Sequence, residues 1–318
     1  MDATGILGSV RAMACDVTVR TSGVSGAPGS GDVGPAVDTA LRVFRSVHRA
    51  ATRFDPDSPL MRANAHPDRW HPVPAVLFAA LGEAHRAHLR TRGRFDPRIL
   101  DDLERLGYDR NLRFHDGPVR TSRRAGHRRP RGRWRPGFRG GPRPQVNLGG
   151  VPVDLGGIGK GLALRWAGEG LTGVLDSYLI DAGGDVACRG PGVEGDGWRI
   201  GVEDPAGGTD PLAVLVVRDR AVATSSIRLR RWTAGDEPVH HLIDPRTGRP
   251  GGTGLTAVTV VADDPAEAEV TTKALFLCGA RGIAAEAERR SVAALWVGVD
   301  GSVSITRRLR PSVIWTPG

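Results

Sequence analysis

The 318-residue sequence predicts an α+β fold in which strands and helices occur in mixed order. Apolar residues recur at helical spacing over residues 35–51, whereas residues 255–261 form a β-branched run typical of a strand. Residues 292–306 predict a hairpin that turns at Asp300 and Gly301. No internal repeat or linker divides the chain, so we expect a single domain over residues 1–318.

The other predicted elements follow from the same periodicities. Further strands are expected near residues 9–20, 151–155, 177–181, 197–202, 212–218, 220–223 and 239–243. Further helices are expected over residues 73–90, 158–170 and 265–278.

The basic character of the chain is confined to one segment. Residues 120–143 contain ten arginines and no acidic residue, and removing those charges from the net +9 leaves −1. The surrounding segment, about 117–145, is rich in Arg, Gly and Pro, so we expect a mobile insertion that buries little apolar surface. An RNA-binding arm is the alternative, but only Trp134 and Phe138 could stack on bases, so a nucleic-acid partner is not favoured.

The lack of a recognisable targeting signal and the spacing of the cysteines predict a reducing compartment. No run of about 18 apolar residues is present, so we expect no membrane span. Residues 1–17 show neither a basic stretch before an apolar run nor a lipobox, which argues against a secretory leader. Cys15, Cys188 and Cys278 form no metal or disulfide motif and predict buried free thiols. We therefore expect a cytoplasmic protein.

The two lysines are the first candidates for chemistry. Of 44 basic residues only Lys160 and Lys273 are lysines, which suggests that a compact ammonium matters at both places. Lys160 ends the run Asp154-Leu-Gly-Gly-Ile-Gly-Lys160 at the start of a predicted helix. Glycines and free helix N–H groups favour phosphate binding there, although the spacing is not that of a P-loop. A tight strand-to-helix turn with an exposed lysine is the alternative.

Several further segments accompany that run in a fixed order. They are Thr52–Asn64, Gly93–Pro97, VNLGGVPVDLGGIGKGLA, Asp181–Gly184, Ala221–Ser225 and His240–Gly248. Over roughly residues 10–300, and apart from the Arg-rich insertion, this order resembles the ApbE family, the FAD:protein FMN transferases. The resemblance implies a compact, two-lobed α+β architecture related to the T-fold, with FAD in the cleft between the lobes.

The resemblance also implies roles for individual residues. Those that match the FAD site of the family are Met13, Phe54, Phe95, Asp96, Pro97, Asp154, Lys160 and Ile243. Those that match or could supply catalytic groups are Lys160, His241, Glu269 and Lys273. For His241 a structural role near the Asp244–Thr247 turn is an equal alternative, and for Asp181 and Asp185 turn chemistry is favoured.

The sequence departs from the family at the position of Mg²⁺. The resemblance implies a metal bound by the carbonyl of Gly157 and by an Asp and a Thr four residues apart on a helix. Here those two positions hold Glu269 and Lys273, and a protonated lysine cannot bind a metal. Lys273 could displace the metal, or the metal could use Thr272 instead. A solvated i,i+4 helix pair is the third interpretation.

The function that the resemblance implies is transfer of FMN from FAD to a Thr or Ser hydroxyl of a target flavoprotein, with release of AMP. The alternatives are a relative that binds or hydrolyses FAD without transfer, and an RNA-associated protein that uses the Arg-rich insertion. FAD and a flavoprotein subunit are therefore the expected ligand and partner, and Mg²⁺ is the metal that the family implies.

Overall fold

The computed structural model describes residues 4–22, 32–110, 112 and 132–316. Its strands are β1 (Thr4–Ala12), β2 (Cys15–Ser22), β3 (His71–Pro72), β4 (Gly137–Arg139), β5 (Gln145–Asn147), β6 (Tyr178–Ala182), β7 (Asp185–Arg189), β8 (Trp198–Val202), β9 (Ala213–Val217), β10 (Ala221–Ser226), β11 (Arg231–Ala234), β12 (Glu237–His240), β13 (Ile243–Asp244), β14 (Arg249–Pro250), β15 (Leu255–Ala262), β16 (Ala293–Gly298), β17 (Val303–Ile305) and β18 (Val313–Trp315).

The helices lie between these strands. They are α1 (Val33–Ala51), α2 (Pro59–Asn64), α3 (Ala75–Arg90), α4 (Leu100–Arg105), α5 (Gly159–Leu171), α6 (Pro265–Phe276) and α7 (Gly279–Arg289), with a 3₁₀ turn at Arg310–Ser312. Among the described residues, no helix combines the length and the apolarity that crossing a membrane requires.

An eight-stranded sheet with the order β1-β2-β6-β7-β10-β15-β16-β17 forms the centre of the fold. Each neighbouring pair in it is antiparallel. Side chains alternate between its faces, since Val258 and Val260 pack on α6 and α7 whereas Ala257 and Val261 pack on the small sheet β18-β9-β8. Helices α1 and α5 cover the face of the sheet that α6 and α7 also cover, next to strands β1, β2 and β6. The predicted α+β class is confirmed.

A second core lies beside this sheet and joins the smaller elements to the helices. It contains side chains of α2, α3 and the β3-β5-β4 sheet, together with Ile158 and Leu162 of the α5 region and Ala266 and Val270 of α6. Helices α5 and α6 therefore contribute to both cores. They stand where the two parts of the fold meet, and this position decides where the candidate site lies.

Several element boundaries differ from the predictions. The single strand expected over residues 9–20 is a hairpin, because Met13 (φ 53°) and Ala14 (φ 63°) form a tight left-handed turn that the sequence does not signal with Gly or Asn. Residues 151–155 form no strand, and the amide of Asp154 donates to the Pro97 carbonyl at 2.7 Å.

Two other predictions need correction further along the chain. The strand expected over 239–243 ends at His240, and a separate short strand follows. The helix expected over 265–278 ends at Phe276, and α7 begins at Gly279, whose φ of 66° breaks the helical path. The hairpin expected over 292–306 is confirmed, with β16 and β17 on either side of Asp300 and Gly301.

The C-terminal part of the Arg-rich insertion belongs to the folded core. Trp134 is only 1% exposed, and its indole donates to the Leu148 carbonyl at 2.8 Å. Phe138 lies in β4 and packs edge-on against Phe78. The expectation of negligible apolar burial is therefore wrong for residues 132–145, while 113–131 lie outside the described residues. Of the three cysteines Cys188 is buried, but Cys15 and Cys278 are partly exposed, which corrects the prediction for these two.

Candidate functional site

Lys160 stands in the first turn of α5 and meets an acid from the central sheet. Its ammonium forms an ion pair with Asp185, and the two side chains are 17% and 4% exposed. Asp185 begins β7, and its other oxygen accepts the amide of Thr224 at 3.0 Å. Burial alone would lower the pKa of Lys160, but the carboxylates of Asp185 and Glu269 outweigh it and raise that pKa. The lysine is therefore a fixed positive charge rather than an exposed side chain.

Glu269 and Lys273 lie on α6, where that helix faces the start of α5. Glu269 is 2% exposed, and its two oxygens accept different donors. The amide of Gly161 donates to Oε2 at 2.8 Å, and the ammonium of Lys273 lies 3.3 Å from Oε1. The same ammonium lies 3.2 Å from the Glu269 carbonyl oxygen. The interpretation as a solvated helix pair is wrong, because the carboxylate is enclosed and also binds a backbone amide of another element.

The bend before α5 and helix α6 are in direct contact. A Cβ on Gly161 would lie 2.6 Å from the Pro265 carbonyl oxygen and from the Cα of Ala266, so only glycine allows this approach. A Cβ on Gly157 would lie 3.3 Å from two stem carbons of Lys273 and 3.0 Å from Phe95. The two elements that the sequence assigns to the phosphates therefore converge on one place.

Asp154 holds the opposite end of that bend. Its Oδ1 accepts the amide of Gly156 at 2.8 Å, and its Oδ2 lies 3.2 Å from Nε of Arg53. Arg53 is only 6% exposed in its side chain and lies over the rings of Phe54 and Tyr108, at 4.3 and 4.0 Å from their centroids. One of its guanidinium nitrogens, Nη2, is buried and has no hydrogen-bond partner among the residues that the structure describes. Asp154 thus connects the bend, through Arg53, to the rings of Phe54 and Tyr108, which we call the aromatic wall.

The Phe95-Asp96-Pro97 turn contacts the bend through the Pro97 carbonyl and the Phe95 ring. Asp96 accepts from Nε and Nη2 of Arg98 at 2.9 and 2.7 Å, and Nδ1 of His88 lies 3.5 Å from it. Burial lowers the pKa of His88, and the amide of Trp134 donates to its Nε2 at 3.1 Å. Because Asp96 is engaged in these contacts, it serves here as an anchor of the turn.

The expected apolar contacts differ in how much surface they present. Phe54 is 40% exposed, and Met13 lies against Gly159 at the tip of the β1–β2 hairpin. Phe95 and Ile243 are only 5% and 3% exposed. Met13 and Phe54 are thus the apolar side chains of this set that a ligand can reach directly, and the other two support the walls.

His241 lies near the cationic side of the site. Burial, reinforced by the positive charges of Arg230 and Lys273, holds its pKa well below the ordinary value. Its Nδ1 makes a long contact of 3.4 Å with the Arg230 carbonyl. His240 turns the other way and meets the ring of Phe276 edge-on at 5.9 Å. A neutral imidazole at 241 therefore stands close to Lys273.

Comparisons with known proteins assign the chain to a family. A sequence model of the ApbE family matches residues 13–296. The chain belongs to the ApbE family. An FAD:protein FMN transferase of Treponema pallidum (strain Nichols) is 33% identical over 145 residues, which are 42% of this chain and 40% of the relative. This chain therefore aligns with less than half of that relative.

Two further proteins extend the comparison along the chain. An FAD:protein FMN transferase of Chlamydia trachomatis serovar D is 28% identical over 243 residues, covering 74% of this chain and 73% of the relative. The crystal structure of the ApbE protein of Thermotoga maritima superposes with a TM-score of 0.78 at 24% identity, covering 98% of this chain and 100% of that one. The ApbE fold thus extends over almost the whole chain.

The residues that the sequence analysis matches to the metal position of the family do not fit Mg²⁺. Both oxygens of Glu269 are already engaged, and Lys273 offers an ammonium instead of an oxygen. Thr272 is fully buried, and its hydroxyl lies 2.7 Å from the Glu269 carbonyl oxygen and 2.6 Å from the Ser225 hydroxyl. Two unit charges about 4 Å apart interact by roughly 4 kcal/mol at an effective dielectric of 20, and a divalent ion doubles the repulsion from Lys273.

Three residues of this region were missed by the sequence analysis. Asp185 was assigned to turn chemistry, yet it is the acid that pairs with Lys160. Arg53 precedes Phe54 and carries a buried cation into the aromatic wall. The charge of Arg230 acts on both Lys160 and His241. A signal for Asp185 was present, because a buried lysine needs a carboxylate partner.

The site is recognised by its charged groups. Grooves of about 570 and 370 Å³ lie elsewhere, one along the edge strand β1 and the other between α1 and α3. Neither includes Lys160, Glu269 or Lys273.

Proposed function

We propose that this chain transfers FMN from FAD to a Thr or Ser hydroxyl of a target flavoprotein and releases AMP. The observation that carries the proposal is that both lysines of the chain stand at one junction, each within reach of Glu269's charge. Phosphoryl transfer needs mainly positioning and neutralisation of charge, and two ammonium groups at a glycine-rich helix start can supply both.

In the proposed reaction the hydroxyl oxygen of the target attacks the phosphorus on the FMN side of the pyrophosphate. A new P–O bond forms to the target, the bridging P–O bond breaks, and AMP leaves with the bonding electrons. Lys160 and Lys273 neutralise the charge on the phosphate oxygens. Met13, Phe54 and the Asp154 bend hold the rings and the linker, supported by Phe95, Pro97 and Ile243.

The proton of the attacking hydroxyl needs an acceptor, and His241 suits this role better than Glu269. Burial and two nearby cations keep the pKa of His241 low, so its imidazole is neutral and can accept a proton, and the same low pKa makes it a weak base. Glu269 is already occupied by the Gly161 amide and Lys273, so it orients Lys273 instead.

The test uses purified chain, FAD and flavoprotein subunits from the same cell. We expect a subunit to gain the mass of one FMN moiety, and AMP to form in equal amount. AMP and FMN formed without any subunit would identify an FAD hydrolase, and absence of both products with FAD still bound would identify a binding protein. A Lys160→Met variant, which keeps the aliphatic stem, should lose transfer.

The RNA-associated alternative receives less support. Trp134, one of the two aromatics of the Arg-rich segment, is packed in the core and cannot stack on bases. A deletion that tests this alternative should be confined to residues 113–131, since a longer one removes Trp134. Retention of RNA by the full chain and its loss on that deletion would revive the alternative.

A further inference from the structure

We propose that the Lys273 ammonium is a built-in replacement for the divalent cation, so that this chain binds the linking phosphates of FAD without Mg²⁺. The inference rests on the proposed function, because it concerns how the same FAD would be held. At the position that does not fit a metal, the positive charge comes from a side chain of this protein.

The position of Lys273 is fixed at both ends of its side chain. Its stem carbons pack on Gly157, since a Cβ added there would lie 3.3 Å from Cδ and from Cε. Its ammonium contacts the carbonyl and a carboxylate oxygen of Glu269 at 3.2 and 3.3 Å. The positive charge thus lies beside the bend that would carry the phosphates, and 17% of the side chain remains exposed for a ligand.

Glu269 is arranged to hold a lysine rather than a metal. Its carboxylate bridges two elements, with Oε2 on the Gly161 amide and Oε1 on Lys273. A divalent ion at Oε1 would stand against the Lys273 ammonium, and one that displaced the Gly161 amide from Oε2 would leave a buried donor at the start of α5 without a partner.

The alternative oxygen ligand on the same helix is turned away. The Thr272 hydroxyl lies within hydrogen-bond distance of the Glu269 carbonyl and of Ser225 in β10, and the residue is fully buried. A metal that used Thr272 would have to break these bonds and enter the core. Lys273 is therefore the cation that α6 itself supplies at this junction, beside Lys160 of α5.

The charge of this arrangement differs from that of an aspartate with Mg²⁺. Glu269 and Lys273 together are neutral, whereas an aspartate with a divalent ion carries one positive charge. Because the ammonium is part of the chain, FAD should bind independently of metal, with Lys273 supplying a charge-assisted hydrogen bond.

The decisive measurement is the FAD affinity of the full chain in excess EDTA and in millimolar MgCl₂. Quenching of flavin fluorescence reports the binding. We expect the two affinities to agree within about twofold. Lys273→Met keeps the stem that packs on Gly157 but removes the charge, and should weaken FAD binding about tenfold or more in both conditions. Arg289→Met, at an exposed pair on α7, is the control and should bind like the wild type.

A double variant should make FAD binding at the site depend on a divalent metal. Glu269→Asp with Lys273→Thr restores two oxygen ligands, so its FAD affinity should be about tenfold higher with MgCl₂ than with EDTA. Electron paramagnetic resonance of Mn²⁺ in the presence of FAD gives a second readout, with FAD alone as reference. The wild type should leave the Mn²⁺ signal of the reference unchanged, and the double variant should reduce it.

Two results would overturn the inference while leaving the proposed function intact. One is a wild-type chain that loses FAD affinity about tenfold in EDTA and regains it with MgCl₂. The other is stoichiometric capture of Mn²⁺ by the wild type. If the wild type binds no FAD in either condition, the proposed function itself is wrong and the inference falls with it. Should Lys273→Met fail to fold, the wild-type comparison and the Mn²⁺ signal still decide.

Discussion

Helices α6 and α7 follow one another in the chain and carry the same local pattern, a glutamate four residues before a basic residue. In α6 the pair is Glu269 and Lys273, and at the end of α7 it is Glu286 and Arg290, the residue that directly follows the helix. Ten of the twelve residues of α6 are buried, whereas only Ile283 and Ala287 are buried in α7. The pattern is the same, but the surroundings differ.

That difference decides what each glutamate does. Glu286 lies among several arginines, including Arg289, whose side chain is 53% exposed, so water and salt screen these ion pairs. Glu269 instead links α6 to the first turn of α5 through the Gly161 amide. An i,i+4 pair therefore acquires a function only where the helix is enclosed on all sides, and the sequence clue is apolar residues around the whole helix.

The largest effect on stability should come from adding a side chain where α5 and α6 are in closest contact. Gly161→Ala places a methyl group 2.6 Å from backbone atoms of Pro265 and Ala266, and should lower the free energy of unfolding by at least about 3 kcal/mol. Gly170→Ala in the same helix is the control, since a Cβ there meets nothing within 4 Å. Urea denaturation of both variants measures this difference, and equal stability would mean that the two helices are further apart.

The second prediction compares the two glutamates directly. Glu269→Gln leaves Lys273 without its buried carboxylate and should lower the free energy of unfolding by about 2.5 kcal/mol. Glu286→Gln should lower it by about 1 kcal/mol or less, because its partners are more exposed. Chemical denaturation gives both values. Similar losses would show that Glu269 is no more enclosed than Glu286.

The comparison of the two helices also shows how far the sequence could lead. Motif order identified the Asp154–Lys160 bend and the α6 pair, because close backbone approach needs glycine and because lysine is rare in this chain. The partner of Lys160 was missed, since Asp185 reaches it from a strand whose pairing cannot be read from local pattern. Burial of Trp134 was missed for the same reason, because its hydrogen bond to Leu148 joins two otherwise irregular segments.

Local geometry without a sequence signal explains the remaining errors. The Met13–Ala14 turn uses two non-glycine residues with positive φ, so its hairpin could not be predicted from turn residues. The end of α6 is hidden because Leu277 and Cys278 favour no break, and only Gly279 marks it. Such features depend on long-range packing that overrides local propensity.

The third prediction concerns pH and the end of α6, where His240 meets Phe276. Burial lowers the pKa of His240 to about 4, so between that pH and the ordinary histidine value the unfolded chain binds more protons than the folded one. Stability is therefore full above about pH 6.5 and falls as the pH drops, by about 2 kcal/mol near pH 5.

His240→Asn should remove this part of the pH dependence, because asparagine keeps an acceptor for the Leu242 amide and carries no titrating ring. Thermal unfolding at several pH values measures the slope, to which the partly buried His241 also contributes in the same direction. His66→Gln, at an exposed histidine, is the control. An unchanged slope in His240→Asn would contradict the assignment.

The smallest effect belongs to α7 and has the opposite sign from that of Gly161. Gly282 lies in the middle of α7, and a Cβ there meets only the Cβ of Cys278 at 3.4 Å, which is an ordinary contact. Gly282→Ala should therefore raise the free energy of unfolding by about 0.5–1 kcal/mol, because alanine loses less conformational entropy in a helix. The shift of the urea midpoint measures it. A loss of stability would mean that α7 is as tightly enclosed as α6, and the contrast between the two helices would no longer explain why only Glu269 belongs to the site.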